Sequence, residues 1–139
     1  MEHRDVSFSS RLDAGRQLAD RLAAMGLENP LVFALPRGGV PVAVEIARRL
    51  EAPLDLILVR KIGAPGYPEL AMGAIVEGDD TQVVINEDVR RMSGAEVSYF
   101  ERACADERSE LERRRQRYIG ERPRLAPSGR TVIVVDDGL

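Results

Sequence analysis

LVFALPRGGVPVAVEIARRLEAPLDLILVRKI, residues 31 to 62, decides the fold. LVFAL (31–35) is an unbroken apolar run, too short for a helix, and Pro36, Arg37, Gly38 and Gly39 follow it. VPVAVEIARRL (40–50) then takes helical spacing, with Pro41 tolerated in a first turn that has no intrahelical use for its N–H. LDLILVRKI (54–62) is a second continuous apolar run. Strand, glycine turn, helix and strand make a βαβ unit. Hydrophobicity that is continuous rather than alternating predicts a parallel sheet covered on both faces.

Upstream, Ser10 precedes RLDAGRQLADRLAAMG with Asp13 three residues on, which predicts a capped helix. Leu18, Leu22 and Met25 share one face of it, and Gly26 is the expected stop. Downstream, GAPGYPE (63–69) reads as a loop on its Gly and Pro content. LAMGAIVEG and TQVVIN predict two further strands joined at Asp79 and Asp80, an antiparallel excursion. Ser93 and Glu96 form a capping box for a long helix reaching about Tyr118. Its apolar stripe is Val97, Phe100, Cys104, Leu111 and Tyr118, and Gly120 closes it. ERPRLAPSG links to a last buried strand, TVIVV (131–135), followed by Asp136, Asp137 and Gly138.

The expected fold is therefore α/β: three layers, a mostly parallel sheet with flanking helices and a small antiparallel insertion, in a single domain over 1–139. Parallel strands of this kind place ligands at their carboxyl ends. Three segments are expected there: PRGG, RKIGAPG and DDGL.

Composition narrows the chemistry. The 139 residues are one domain's worth, and 44% hydrophobic with 31% charged residues is ordinary for a globular protein. No apolar run approaches the roughly 18 residues of a membrane span. MEHRDVSFSS lacks an apolar signal region, and the single Cys104 fits a reducing compartment, so a cytoplasmic location is expected. The single histidine, His3, and Cys104 leave little for a nucleophilic Cys/His or Ser/His/Asp system, or for a zinc site. Carboxylates, arginines, glycines and backbone amides remain, equipment suited to phosphate and sugar ligands. A net charge of −3 supplies no global pull toward nucleic acid. Lys61 stands alone among 20 basic residues that are otherwise all Arg. Between Arg90 and Arg124, ten Arg interleave with seven acids at helical spacing, for example Glu110 with Arg114, which reads as a solvated, salt-bridged face.

Each strand-end segment admits two readings. The glycines of PRGG let backbone amides converge on an anion at a helix N-terminus, with Arg37 adding a charged fork. They equally suit a tight turn with Arg37 in solvent. Arg60 and Lys61 could meet phosphate oxygens, or merely mark a strand leaving the core. Asp136 and Asp137 suit a sugar cis-diol or a metal, because carboxylate oxygens accept from neighbouring hydroxyls, and Asp-Asp-Gly is also good turn chemistry.

VIVVDDGL (132–139) resembles the first half of the phosphoribosyl pyrophosphate (PRPP) motif of type I phosphoribosyltransferases. LPRGGVPVA resembles that family's pyrophosphate loop, and RKIGAPGYPELAMGAI the stretch that carries the flexible loop in its uncharacterised "predicted phosphoribosyltransferase" subgroup. The likeness runs in order and spacing from about residue 30 to 139. It implies a Gly/Thr-rich loop for the 5-phosphate, then a helix and strand, after Leu139. The chain is thus expected to be C-terminally incomplete and, by itself, without turnover.

What the resemblance implies for function is a phosphoribosyltransferase, moving the phosphoribosyl group of PRPP to a nitrogen acceptor of nucleobase type in nucleotide salvage. Asp136 and Asp137 are the implied catalytic residues, holding the ribose hydroxyls. Arg37, Gly38, Gly39, Arg60, Lys61 and Gly138 are the implied substrate-binding set. No protein metal site is implied, and Mg²⁺ is expected through PRPP and pyrophosphate oxygens. A cis non-proline peptide is expected in the turn, at Arg37–Gly38. Expected partners are PRPP and a nucleobase-like molecule, with a homodimer as an option and neither membrane nor nucleic acid. The alternative is a PRPP-binding regulator on the same fold, without turnover.

Overall fold

The computed structural model describes residues 7–78 and 81–138. In chain order the elements are α1 (Arg11–Ala24), β1 (Pro30–Ala34), α2 (Gly39–Leu50), β2 (Leu54–Leu56), β3 (Val59–Ala64), β4 (Tyr67–Val76), β5 (Gln82–Ile85), α3 (Glu87–Met92), α4 (Val97–Tyr118) and β6 (Thr131–Val135). They fall into two compact units, residues 1–56 with 123–139, and residues 57–122. The class is the expected one: a parallel sheet with flanking helices and a small antiparallel sheet.

In the first unit β1 is central, parallel to β2 on one side and β6 on the other, in the order β2-β1-β6. Alternation sorts the strand residues by face. Val32, Ala34 and Val135 meet Val42, Ala43, Ile46 and Ala47 of α2, whose i, i+1, i+4, i+5 spacing makes one apolar stripe. Full burial of each large aliphatic here contributes about 1.5–3 kcal/mol. α1 then packs on α2, with Ala19 joining the core. Ser10 caps α1 as expected, its hydroxyl accepting from the Asp13 amide at 3.1 Å. The other face of the edge strand β6 exposes Val132 (40%) and Val134 (56%), so coverage of both faces is not met there.

The second unit is the antiparallel sheet β3-β4-β5, with α4 packed on β3 and β4. Leu58, Ile62, Met72, Ile75, Phe100, Leu111 and Ile119 are its large buried side chains among the described residues. The arginine-rich stretch of α4 is salt-bridged as its spacing suggested: Glu110 pairs with Arg113 at 2.5 Å and with Arg114 at 3.3 Å.

Three expectations are corrected. Residues 54–62 do not form one strand. The Asp55 carboxylate accepts the Leu56 amide at 2.8 Å and the Leu125 amide at 3.2 Å, which ends β2. From Leu58 the chain turns to β4, the Leu58 carbonyl accepting from the Glu77 amide at 2.9 Å. GAPGYPE is not a free loop but the tip of the β3–β4 hairpin, reversed at Gly66 with φ +73° and bulged beside Gly63. Ser93 does not start the long helix: Glu96 is the N-cap of α4, without a side-chain capping bond, and Ser93 closes α3 instead. Asn86 caps the short α3, accepting from the Val89 amide at 3.2 Å, and Ser93 donates to the Arg90 carbonyl at 2.8 Å at its end. The strand joint expected at Asp79 and Asp80 lies outside the described residues.

Candidate functional site

The β1–α2 turn and the end of β6 come together within the first unit. Register brings Ala34 opposite Val135, and the Leu35 amide donates to the Val135 carbonyl at 2.9 Å. The next residues of both strands therefore leave the sheet side by side. Pro36–Arg37 is a cis peptide, one bond before the Arg37–Gly38 bond at which it was expected. Gly39 donates to the Leu35 carbonyl at 3.0 Å, closing the turn. That amide is spent inside the turn, so it does not face a ligand in this conformation.

Both glycines sit at close approaches, one to a movable side chain and one to backbone. A Cβ on Gly38 would fall onto the Asp137 carboxylate, and one on Gly39 would lie 2.5 Å from the Val135 carbonyl oxygen. Gly38 is the N-cap of α2, and no side chain caps that helix. The Gly39 and Val40 amides are taken by the Leu35 and Arg37 carbonyls and Pro41 has no N–H, so what α2 offers an anion beside the acids is its dipole rather than a row of free amides.

Asp136 and Asp137 are exposed at the end of β6. Asp136 Oδ1 accepts the Asp137 amide at 2.9 Å. Asp137 Oδ2 accepts from Arg11 twice, from Nε at 3.1 Å and Nη2 at 2.7 Å. The Arg11 hydrogen bond, ahead of its charge, holds the Asp137 carboxyl below the ordinary carboxylate range. Beside the pair lies a cavity of about 220 Å³, walled by Phe8, Leu18 and Val42, with Arg11, Asp136 and Asp137 as its charged lining.

Arg11 was not anticipated. Its only trace in the sequence is a cation in the first turn of a helix, where the helix dipole disfavours positive charge. Nothing local shows that the compensating carboxylate lies 126 residues away.

Arg37 and Gly38 take their expected places in the turn, and Gly138 follows the acids. Arg60 and Lys61 do not end a parallel strand. They lie inside β3 of the second unit, paired in register with Ile75 and Ala74. Arg60 Nε holds Glu107 Oε2 at 2.6 Å, and Lys61 lines a shallow groove with Val84, Ile85 and Asn86. Among the described residues no three His, Cys, Asp or Glu cluster to hold a metal ion. With one oxygen each of Asp136 and Asp137 already accepting hydrogen bonds, the donor set fits a Mg²⁺ carried by a polyphosphate and water rather than a protein cage. No helix among the described residues is long and apolar enough to cross a membrane.

The model of the phosphoribosyl transferase domain family matches residues 10–139. The chain belongs to the phosphoribosyltransferase family. Two proteins from strains of Mycobacterium tuberculosis, provisionally named phosphoribosyl transferases, are 46% identical over 132 residues, which is 95% of this chain and 29% of theirs. The crystal structure of TT1426 from Thermus thermophilus superposes with a TM-score of 0.79 at 49% identity, covering 94% of this chain and 61% of that one. A protein of Parafrankia named uracil-DNA glycosylase is 28% identical over 103 residues, 74% of this chain and 44% of its own. The chain thus spans under a third of the length of the mycobacterial relatives. As a phosphoribosyltransferase domain, it pairs the glycine turn with the acid pair in one unit.

Proposed function

We propose that this domain binds PRPP and transfers its phosphoribosyl group to a nitrogen acceptor of nucleobase type in nucleotide salvage, in the cytoplasm. The observation that carries the reading is the close approach of PRGG to DDG, with the Asp137 carboxylate against Gly38. An anion cradle and a diol acceptor at that separation suit a ligand with pyrophosphate next to a ribose.

In the reaction the C1–O bond to pyrophosphate breaks, a C1–N bond forms, and the acceptor's N–H proton leaves to solvent. Positive charge builds on the sugar ring as pyrophosphate departs. Asp136 and Asp137 would accept hydrogen bonds from the ribose hydroxyls and set negative potential beside the ring. The Gly38 amide, the dipole of α2 and Arg37 would receive the pyrophosphate. Mg²⁺, held mainly by substrate oxygens and water, would supply charge neutralisation to the leaving group. The expected part of Arg60 and Lys61, which β3 carries in the second unit, is a separate proposal that labelling of Lys61 tests.

The test uses the protein expressed at its full genetic length and calorimetry with Mg²⁺-PRPP. Loss of one charge-assisted hydrogen bond is worth about 1.5–3 kcal/mol, so Asp136→Asn with Asp137→Asn should weaken binding at least tenfold. Unchanged affinity removes the site assignment. Steady-state pyrophosphate release with a panel of nucleobases then separates an enzyme from a regulator.

A further inference from the structure

Arg11 and Asp137 form a contact that neither the strand ends nor the glycine turn accounts for. Three observations bear on it. Arg11 is the first residue of α1, where a cation opposes the helix dipole, so the helix itself gains nothing from the charge. Its Nε and Nη2 both converge on a single oxygen, Oδ2, at 3.1 and 2.7 Å. The two residues line one cavity with Asp136, between the start of α1 and the end of β6.

The geometry of the fork matters. A carboxylate on a single Cβ can rotate, and a ligand hydroxyl must then pay the cost of stopping it. Gripping Oδ2 alone holds the group in place while Oδ1 keeps its capacity to accept. The charge of Arg11 also offsets the repulsion between two adjacent carboxylates and the phosphates of an incoming polyanion. A lysine would supply the charge without the planar two-point grip.

We propose that Arg11 is the positioning residue for Asp137, holding one carboxylate oxygen so that the other is presented to a ribose hydroxyl of PRPP. The idea rests on the PRPP reading given above. It extends the site from the two strand-end segments to the first turn of α1. Arg11 is 60% exposed in its side chain, so the pair adds little to the fold and its effect should appear in binding.

The experiment is a double-mutant cycle at full genetic length, read as Kd for Mg²⁺-PRPP and for Mg²⁺-pyrophosphate, with thermal unfolding alongside. Arg11→Ala should raise the PRPP Kd at least fivefold and shift the PRPP-to-pyrophosphate ratio, leaving Tm nearly unchanged. Arg11→Lys should recover part of the loss. In an Asp137→Asn background, Arg11→Ala should change the PRPP Kd less than twofold, because the carboxylate it positions is gone. An equal loss in both backgrounds would mean that Arg11 acts on the ligand directly and overturns the proposal. So does an unchanged Kd, or a tighter one, which would make the pair a lock. If the parent protein binds no PRPP, the functional reading falls and this role with it; if the parent binds and only the cycle fails, the reading stands and Arg11 alone is dismissed.

Discussion

Gly38→Ala should separate the fold from the ligand site. Gly38 sits at φ −62°, ψ −31°, a conformation open to any L-residue, so the backbone has no objection to alanine. The new methyl group, however, would land on the Asp137 carboxylate. That carboxylate ends a short rotatable side chain, so it can swing away, breaking its bonds to Arg11. An exposed ion pair is worth about 0–1 kcal/mol, and a compatible Gly→Ala change returns roughly 0.4–1 kcal/mol through the unfolded chain. The two nearly cancel, and stability should stay within about 1 kcal/mol of the parent. Binding should not be spared. With Asp137 displaced, one charge-assisted hydrogen bond of about 1.5–3 kcal/mol is lost, a Kd increase of about tenfold to a hundredfold for Mg²⁺-PRPP.

Gly39→Ala supplies the contrast. Its Cβ would sit 2.5 Å from the Val135 carbonyl oxygen, which is backbone and cannot rotate aside. Overpacking of this kind costs about 1–3 kcal/mol, so this variant should unfold at clearly lower urea. Calorimetry and urea titration on both variants provide the assay. A Gly38→Ala protein with parental stability and parental PRPP affinity would refute the claim that Asp137 serves the ligand from its place beside Gly38.

Two further outcomes can be checked. Arg11 lowers the Asp137 pKa, so the stabilisation it reports is present above the ordinary carboxylate value and is lost as pH falls through the folded value. Carboxyl-carbon NMR should therefore show the Asp137 titration moving up toward the ordinary range in Arg11→Ala, and an unmoved midpoint would deny the pair in solution. Lys61 is the single lysine, so amine-reactive labelling reports on it directly, with the N-terminal amine as control. Mg²⁺-PRPP should shield it where ribose 5-phosphate does not; equal labelling would return Lys61 to the solvated surface.

The sequence alone determined the elements that depend on local pattern. The runs at 31–35 and 131–135 form strands, 40–50 and 97–118 form helices, and Ser10 caps α1, because period and capping are properties of neighbouring residues; the burial expected of 131–135 is met on one face only. The glycine turn and the acid pair were visible as candidate site segments for the same reason. Tertiary structure decided the rest. The apolar run at 54–62 looks uniform, yet the Asp55 carboxylate, by taking the Leu56 and Leu125 amides, ends one strand and frees the next to join a different sheet. That transfer moves Arg60 and Lys61 into an antiparallel hairpin. The same holds for the site. That Gly39 meets the Val135 carbonyl and Gly38 the Asp137 carboxylate, and that Arg11 reaches a carboxylate 126 residues away, are consequences of the β1–β6 register and the packing of α1 on α2. Contacts across such separations arise only once the sheet has chosen its neighbours, and no local pattern encodes them.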